Sequence, residues 1–321
     1  MTTERGKPAR QALWLILRVV ISAALLIILV RRAGADQILR VSTQVPLWLI
    51  LLFIVMQIAL PFINGLGLVV LLRAIADVRT STTLRFAFLS RAAGLLAPAQ
   101  VGELAIVPLL SRAGVPLGQA AAVAVAYKVV TVGTIGLLAV GGLLRLLGPV
   151  WALRAAGLLA ALVIILVITL AAHRPRQALA RLVLRRHAAA FSGFATTLRA
   201  YAGPHHRYTL IGSLTALASL LPGALLAYLF FSHFQVPVRF LDMLLVLAIL
   251  RLVGAFPITF GGIGLRQYVA VLLYEVLLIP GELAATQVLL LLVANYLIAM
   301  GVLWLLGGAS LLETPEEKEA A

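Results

Sequence analysis

The chain has 321 residues, of which 63% are hydrophobic and only 12% charged, whereas a soluble domain has about 45–50% and about 25%. A mean hydropathy of +1.10 leaves too little polar surface to face water, so an all-α, polytopic integral membrane protein is predicted. The net charge of +15 sits in the turns between apolar runs, as the positive-inside rule requires, and argues for anionic lipid headgroups and against nucleic acid.

In chain order, Arg5, Lys7 and Arg10 precede the apolar run Gln11–Val30, and Arg31 and Arg32 follow it where a cleavage site would need small residues. An uncleaved first span is expected there. Val45–Leu72 is overlong for one crossing and carries Pro61, Asn64, Gly65 and Gly67, which predicts a kink near its middle. Thr83–Leu110 is apolar but interrupted at mid-length, while Leu117–Gly142 and Val150–Ala172 read as plain spans. The loop His173–Arg207 holds seven Arg and no acid, and its segment Ala178–Ala190 suits either a solvated loop or a helix lying on the membrane. Tyr208–Ser232 is a span, Phe240–Ile279 is interrupted like Thr83–Leu110, Thr286–Leu312 is the last span, and residues 313–321 form an acidic tail.

The two interruptions share one pattern. Arg91-x-x-Gly94 leads to Pro98-x-x-x-Gly102, and Arg251-x-x-Gly254 leads to Pro257-x-x-x-Gly261. Broken backbone at membrane depth survives only inside protein or beside water. Residues 1–321 are therefore read as a single membrane domain. It has six full spans and two re-entrant or broken helical hairpins, arranged as an inverted two-half repeat of about 11–142 and 150–312. Eight simple spans are the alternative. The basic counts place both termini and the loop 173–207 in the cytoplasm. Inverted repeats of this kind belong to transporters, with a site near the midplane where the halves meet.

Candidate substrate-binding residues follow from that site. Arg91, Arg251 and Arg266 can fork onto phosphate oxygens, and each costs roughly 2.5–3.5 kcal/mol at the bilayer centre unless it faces protein or water. Snorkelling of Arg91 and Arg251 to the two surfaces is the competing reading. Gly102, Gly261 and Gly262 lie where a new half-helix begins, an end that suits an anion. Glu103, the only acid between Asp77 and Asp242, is either a helix-start acid or the partner of Lys128. Gln100, Thr259 and Gln267 are weaker polar candidates. Cysteine is absent, which excludes disulfides and thiolate chemistry. No catalytic group, metal site or cofactor is expected.

The stretches LLAPAQVGELA, AYKVVTVGTIGLL and FPITFGGIGLRQYV resemble the transmembrane domain of lysylphosphatidylglycerol synthases and related stand-alone flippase-like proteins, over almost the whole chain. The resemblance implies handling or translocating a lipid or lipid-linked substrate across the cytoplasmic membrane, with anionic or glycosylated lipids and lipid-biosynthesis enzymes as partners. The soluble aminoacyl-transferring domain is missing before Ala321, so lipid lysylation is not expected. The family commonly carries Arg at the positions of Gln100 and Ile106, a Glu-Arg pair at Tyr127-Lys128, and Glu at Gln267. The loss of those charges points to a less polar substrate, or to one held by other residues such as Arg266. A non-transporting scaffold of a lipid pathway is the alternative function, and an intramembrane transferase with Glu103 as its base is a minor one.

Overall fold

The computed structural model describes residues 6–96, 105–171, 192–254 and 263–306. Their regular structure is entirely helical, in agreement with the reading of the composition. The chain begins with α1 (Gly6–Ala33), α2 (Ala35–Gln44), α3 (Leu47–Leu72) and α4 (Thr80–Leu96). It continues through α5 (Ile106–Arg112), α6 (Leu117–Leu147), α7 (Pro149–Ala171), α8 (Phe194–Ala202) and α9 (His206–Ala218). The last four are α10 (Leu221–His233), α11 (Phe240–Gly254), α12 (Leu265–Val276) and α13 (Gly281–Leu305).

Among the described residues, four stretches are long and apolar enough to cross a membrane: Leu47–Leu72, Leu117–Leu147, His206–His233 and Gly281–Leu305. The helices α1 and α7, with 28 and 23 residues, reach about 42 and about 35 Å at ~1.5 Å per residue. By length they too can cross. The stretch 206–233 is split into α9 and α10 by a turn at Ser219 and Leu220. Pro222 lacks the N–H that would bond the Ala218 carbonyl, and Ser219 Oγ donates to the Ala216 carbonyl at 2.7 Å. In contrast, α3 stays one helix through Pro61. Its glycines serve packing: a Cβ on Gly65 would sit 2.8 Å from Leu84 Cδ2, and one on Gly67 2.6 Å from Thr215 Oγ1.

Two short helices have no counterpart in the sequence reading. Gly34 turns the chain with φ of 80°, and α2 then lays Ile38 and Val41 into the core and packs on α13. Within the basic loop, α8 packs on α6 and α9. The hydroxyl of its buried Tyr201 donates to the Leu71 carbonyl at 2.7 Å, and burial pushes that phenol up, which keeps it a donor. The segment Ala178–Ala190 lies outside the described residues.

The packing around the two interruptions follows one plan. One apolar cluster gathers Leu71 and Leu72 at the end of α3, Phe86 at the start of α4, Ile106 and Leu110 of α5, and Ala120 at the start of α6. At the second interruption, Phe231 at the end of α10 meets Tyr274 near the end of α12, edge to face at 4.8 Å, within a cluster that also holds Met243 of α11 and Ala284 of α13. Further, α4 packs on the preceding α3 and on the distant α13, just as α11 packs on the preceding α10 and on the distant α6. Where α6 meets α11, a Cβ on Gly142 would stand 3.2 Å from the Leu245 carbonyl, so the backbones themselves approach.

Two ion pairs tie α11 and α12 to helices from the first part of the chain. Arg145 Nε meets Asp242 Oδ1 at 2.7 Å, with the Asp242 side chain only 11% exposed, while Arg32 meets Glu275 at the same distance with 50% and 29% exposure. Burial decides which matters more. Loss of a charged hydrogen bond at a buried carboxylate costs about 1.5–3 kcal/mol, whereas an exposed pair contributes about 0–1 kcal/mol. Asp242 also sits in the first turn of α11, where a negative charge favours the helix dipole. Thermal melts in detergent should therefore show a clear drop for Asp242→Asn and little change for Glu275→Gln.

Candidate functional site

Arg91 lies on α4 one turn before its end, and its Nη2 donates to Oδ1 of Asn295 on α13 at 3.4 Å. Nearby, the hydroxyl of Tyr296 donates to the Leu95 carbonyl at 3.1 Å, so the last turn of α4 is held to α13 at two points. Arg266 lies in the first turn of α12, and its charge and that of Arg91 act on each other directly. A Cβ on Gly254, the last residue of α11, would stand 3.9 Å from Arg266 Cδ. Residues flanking the two interruptions therefore meet around α13.

Arg266 lines a narrow cavity of about 30 Å³ together with Gln267, Tyr274, Gln287 and Asn295. That is room for about one water molecule. Among the described lining residues there is no carboxylate. Three sources of positive potential converge here: the Arg266 guanidinium, the Arg91 guanidinium, and the N-terminal end of α12, whose dipole disfavours a cation. Gln287 is 1% exposed, and its Oε1 has no hydrogen-bond partner among the described residues. A buried polar atom without a partner is costly. The arrangement is short of negative charge on one side and of a donor on the other. Chemically it suits an anion, with a hydroxyl or amine beside it.

The pattern of the lysylphosphatidylglycerol synthase TM region matches residues 15–302. The chain belongs to that family. No curated protein matches it. Membership in the lysylphosphatidylglycerol synthase transmembrane-region family makes this a membrane protein of lipid handling, and it gives the charged cluster a chemical context.

Within the family frame, the structure sorts the residues singled out in the sequence. Arg91, Arg266 and Gln267 come together. Gln267, however, is engaged locally: its Oε1 accepts from the Gly264 N–H at 2.9 Å and so caps the start of α12. Arg251 is half-buried near the end of α11, Lys128 is exposed on α6, and neither lines the Arg266 cavity. Pro98, Gln100, Gly102 and Glu103 lie outside the described residues, as do Pro257, Thr259, Gly261 and Gly262. Asn295, Gln287 and Tyr274 were missed by the sequence reading. The available signal was two amides, Gln287 and Asn295, set in an otherwise apolar helix, a placement that normally means a partner inside the protein.

Proposed function

We propose that this family member moves a lipid with an anionic or polar headgroup between the leaflets of a bacterial cytoplasmic membrane, without altering it chemically. The observation that carries the reading is the meeting of Arg91 and Arg266 beside Asn295, at a cavity without a carboxylate among its described walls. Two half-buried guanidiniums repel each other, and a bound phosphate or carboxylate reverses that cost.

The matched packing supports six spans and two hairpins in an inverted repeat. Each hairpin would have both feet on one side of the membrane. The end of α3, the starts of α4 and α6, and α5 share one cluster, and the end of α12 returns to the end of α10. The arms α4 and α11 each pack on the last helix of the opposite half, which is what an inverted pair demands. Basic residues on the loop 173–207 support cytoplasmic termini. A cavity of about 30 Å³ is too small for a headgroup, so the described state is closed, and binding needs the halves to rock apart.

The test is a leaflet-exchange assay on the full chain in phosphatidylcholine vesicles with a minor share of phosphatidylglycerol, carrying a trace of fluorescent phosphatidylglycerol quenched from outside. Exchange well above that of protein-free vesicles is expected. Rates equal to the protein-free control would overturn the reading and leave a scaffold role.

A further inference from the structure

A groove of about 580 Å³ runs along the bundle between α3 and α13, separate from the Arg266 cavity. Ile50, Ile54 and Ile58 line it from α3, Phe88 lines it from α4, and its α13 wall runs from Leu290 to Leu306. The 16 steps from Leu290 to Leu306 amount to about 24 Å at ~1.5 Å per residue, longer than the about 15 Å of hydrocarbon in one leaflet. None of its described lining residues carries a charged or amide side chain. Gly301 belongs to the lining, and a Cβ placed there meets nothing within 4 Å. The slot is open beside Gly301.

At the Leu306 end stands a charge. Arg85 is exposed, and its Nη2 donates to the Leu306 carbonyl at 2.7 Å. A guanidinium has five N–H donors in a fixed fork, so this contact fixes the group at the groove mouth and leaves donors turned outward. Arg85, Phe88 and Arg91 are spaced three apart on α4, which puts them along one stripe of that helix. That stripe runs from the groove mouth, past its wall, to the charged cluster.

We propose that this groove holds one acyl chain of an anionic phospholipid, with the lipid phosphate on Arg85. The apolar walls match the chain in character and are long enough to take it, and the guanidinium matches the phosphate in charge and geometry. The site stands apart from the Arg91–Arg266 cluster and does not depend on transport.

The full chain would be placed in nanodiscs of phosphatidylcholine containing phosphatidylglycerol with a photoreactive group on one acyl chain. Labelled peptides are then mapped by mass spectrometry, and a phosphatidylcholine probe with the same chain serves as the comparison. Labelling is expected on residues 290–306 and on the Ile50–Ile58 segment of α3, with the phosphatidylglycerol probe preferred. Gly301→Trp places an indole in the slot from a position where a Cβ meets nothing within 4 Å, and it should cut that labelling about tenfold, equivalent to about 1.4 kcal/mol of binding. Leu137→Trp, on a 74% exposed position of α6, should leave it unchanged. Arg85→Gln should remove the preference between the two probes. Equal labelling of the Gly301→Trp and parent proteins overturns the proposal, as does equal labelling by both probes in the parent. Leaflet exchange measured on the same preparations separates the two readings: labelling without exchange supports this site and counts against transport.

Discussion

Gly264→Ala should lower the thermal stability of the detergent-solubilised protein by about 2–5 kcal/mol, the sum of a left-handed backbone penalty and overpacking. Gly264 precedes α12 with φ of 85°, where a side chain is strained whatever the space around it. The space is also taken. A Cβ there would lie 2.6 Å from the Ser22 carbonyl oxygen and 3.1 Å from Leu25 Cβ on α1. The nearest atom is backbone, so no rotamer change can relieve the clash, and α1 would have to move away from α12. Such a shift would also disturb the Gln267 cap, whose partner is the Gly264 N–H. Gly301→Ala is the internal control. It lies in the interior of α13 with open space around it, and replacing glycine there should stabilise by about 0.5–1 kcal/mol. Size-exclusion profiles after heating measure both. A Gly264→Ala protein as stable as the parent would mean that α1 does not pack against this turn.

Arg266→Ala should slow leaflet exchange by about 10- to 100-fold, the effect of losing a charged hydrogen bond of about 1.5–3 kcal/mol to a bound anion. Its effect on stability should run the other way. In the absence of an anion, Arg266 is repelled by Arg91 and stands at the unfavourable end of the α12 dipole. Removing it relieves both, so the variant should melt no lower than the parent. A residue that supports packing would lose stability and rate together. Arg91→Ala should slow exchange as well, but with some loss of stability, because the hydrogen bond to Asn295 goes with it. Arg266→Lys keeps the charge without the planar fork, and an intermediate rate is expected. Unchanged exchange in both alanine variants would remove the two guanidiniums from the transport path.

The two interruptions are expected from local causes, and their centres lie outside the described residues. Proline cannot donate a backbone hydrogen bond and glycine adds conformational freedom, and both fall inside apolar runs at 98–102 and 257–261. The runs expected at Thr83–Leu110 and Phe240–Ile279 correspond closely to α4 with α5 and to α11 with α12. Pro61 does not end α3, which continues through it, and the glycines of that helix are explained only by the neighbours at Leu84 and Thr215. The short helices α2 and α8 escaped because about ten residues carry too little periodicity to stand out from a loop. The burial of α2 depends on α13 and that of α8 largely on α6, both far away in the chain.

The amino-acid sequence by itself determined the solvent, the helical class and the family, because each depends on composition or on neighbouring residues. Tertiary structure alone decided which polar groups meet. Arg91 and Asn295 are 204 positions apart, and the Arg85 contact with Leu306 spans 221. No local pattern encodes such pairs, since they arise only when α4 is laid antiparallel to α13. That packing is selected by apolar surface, which is blind to the charges it brings together.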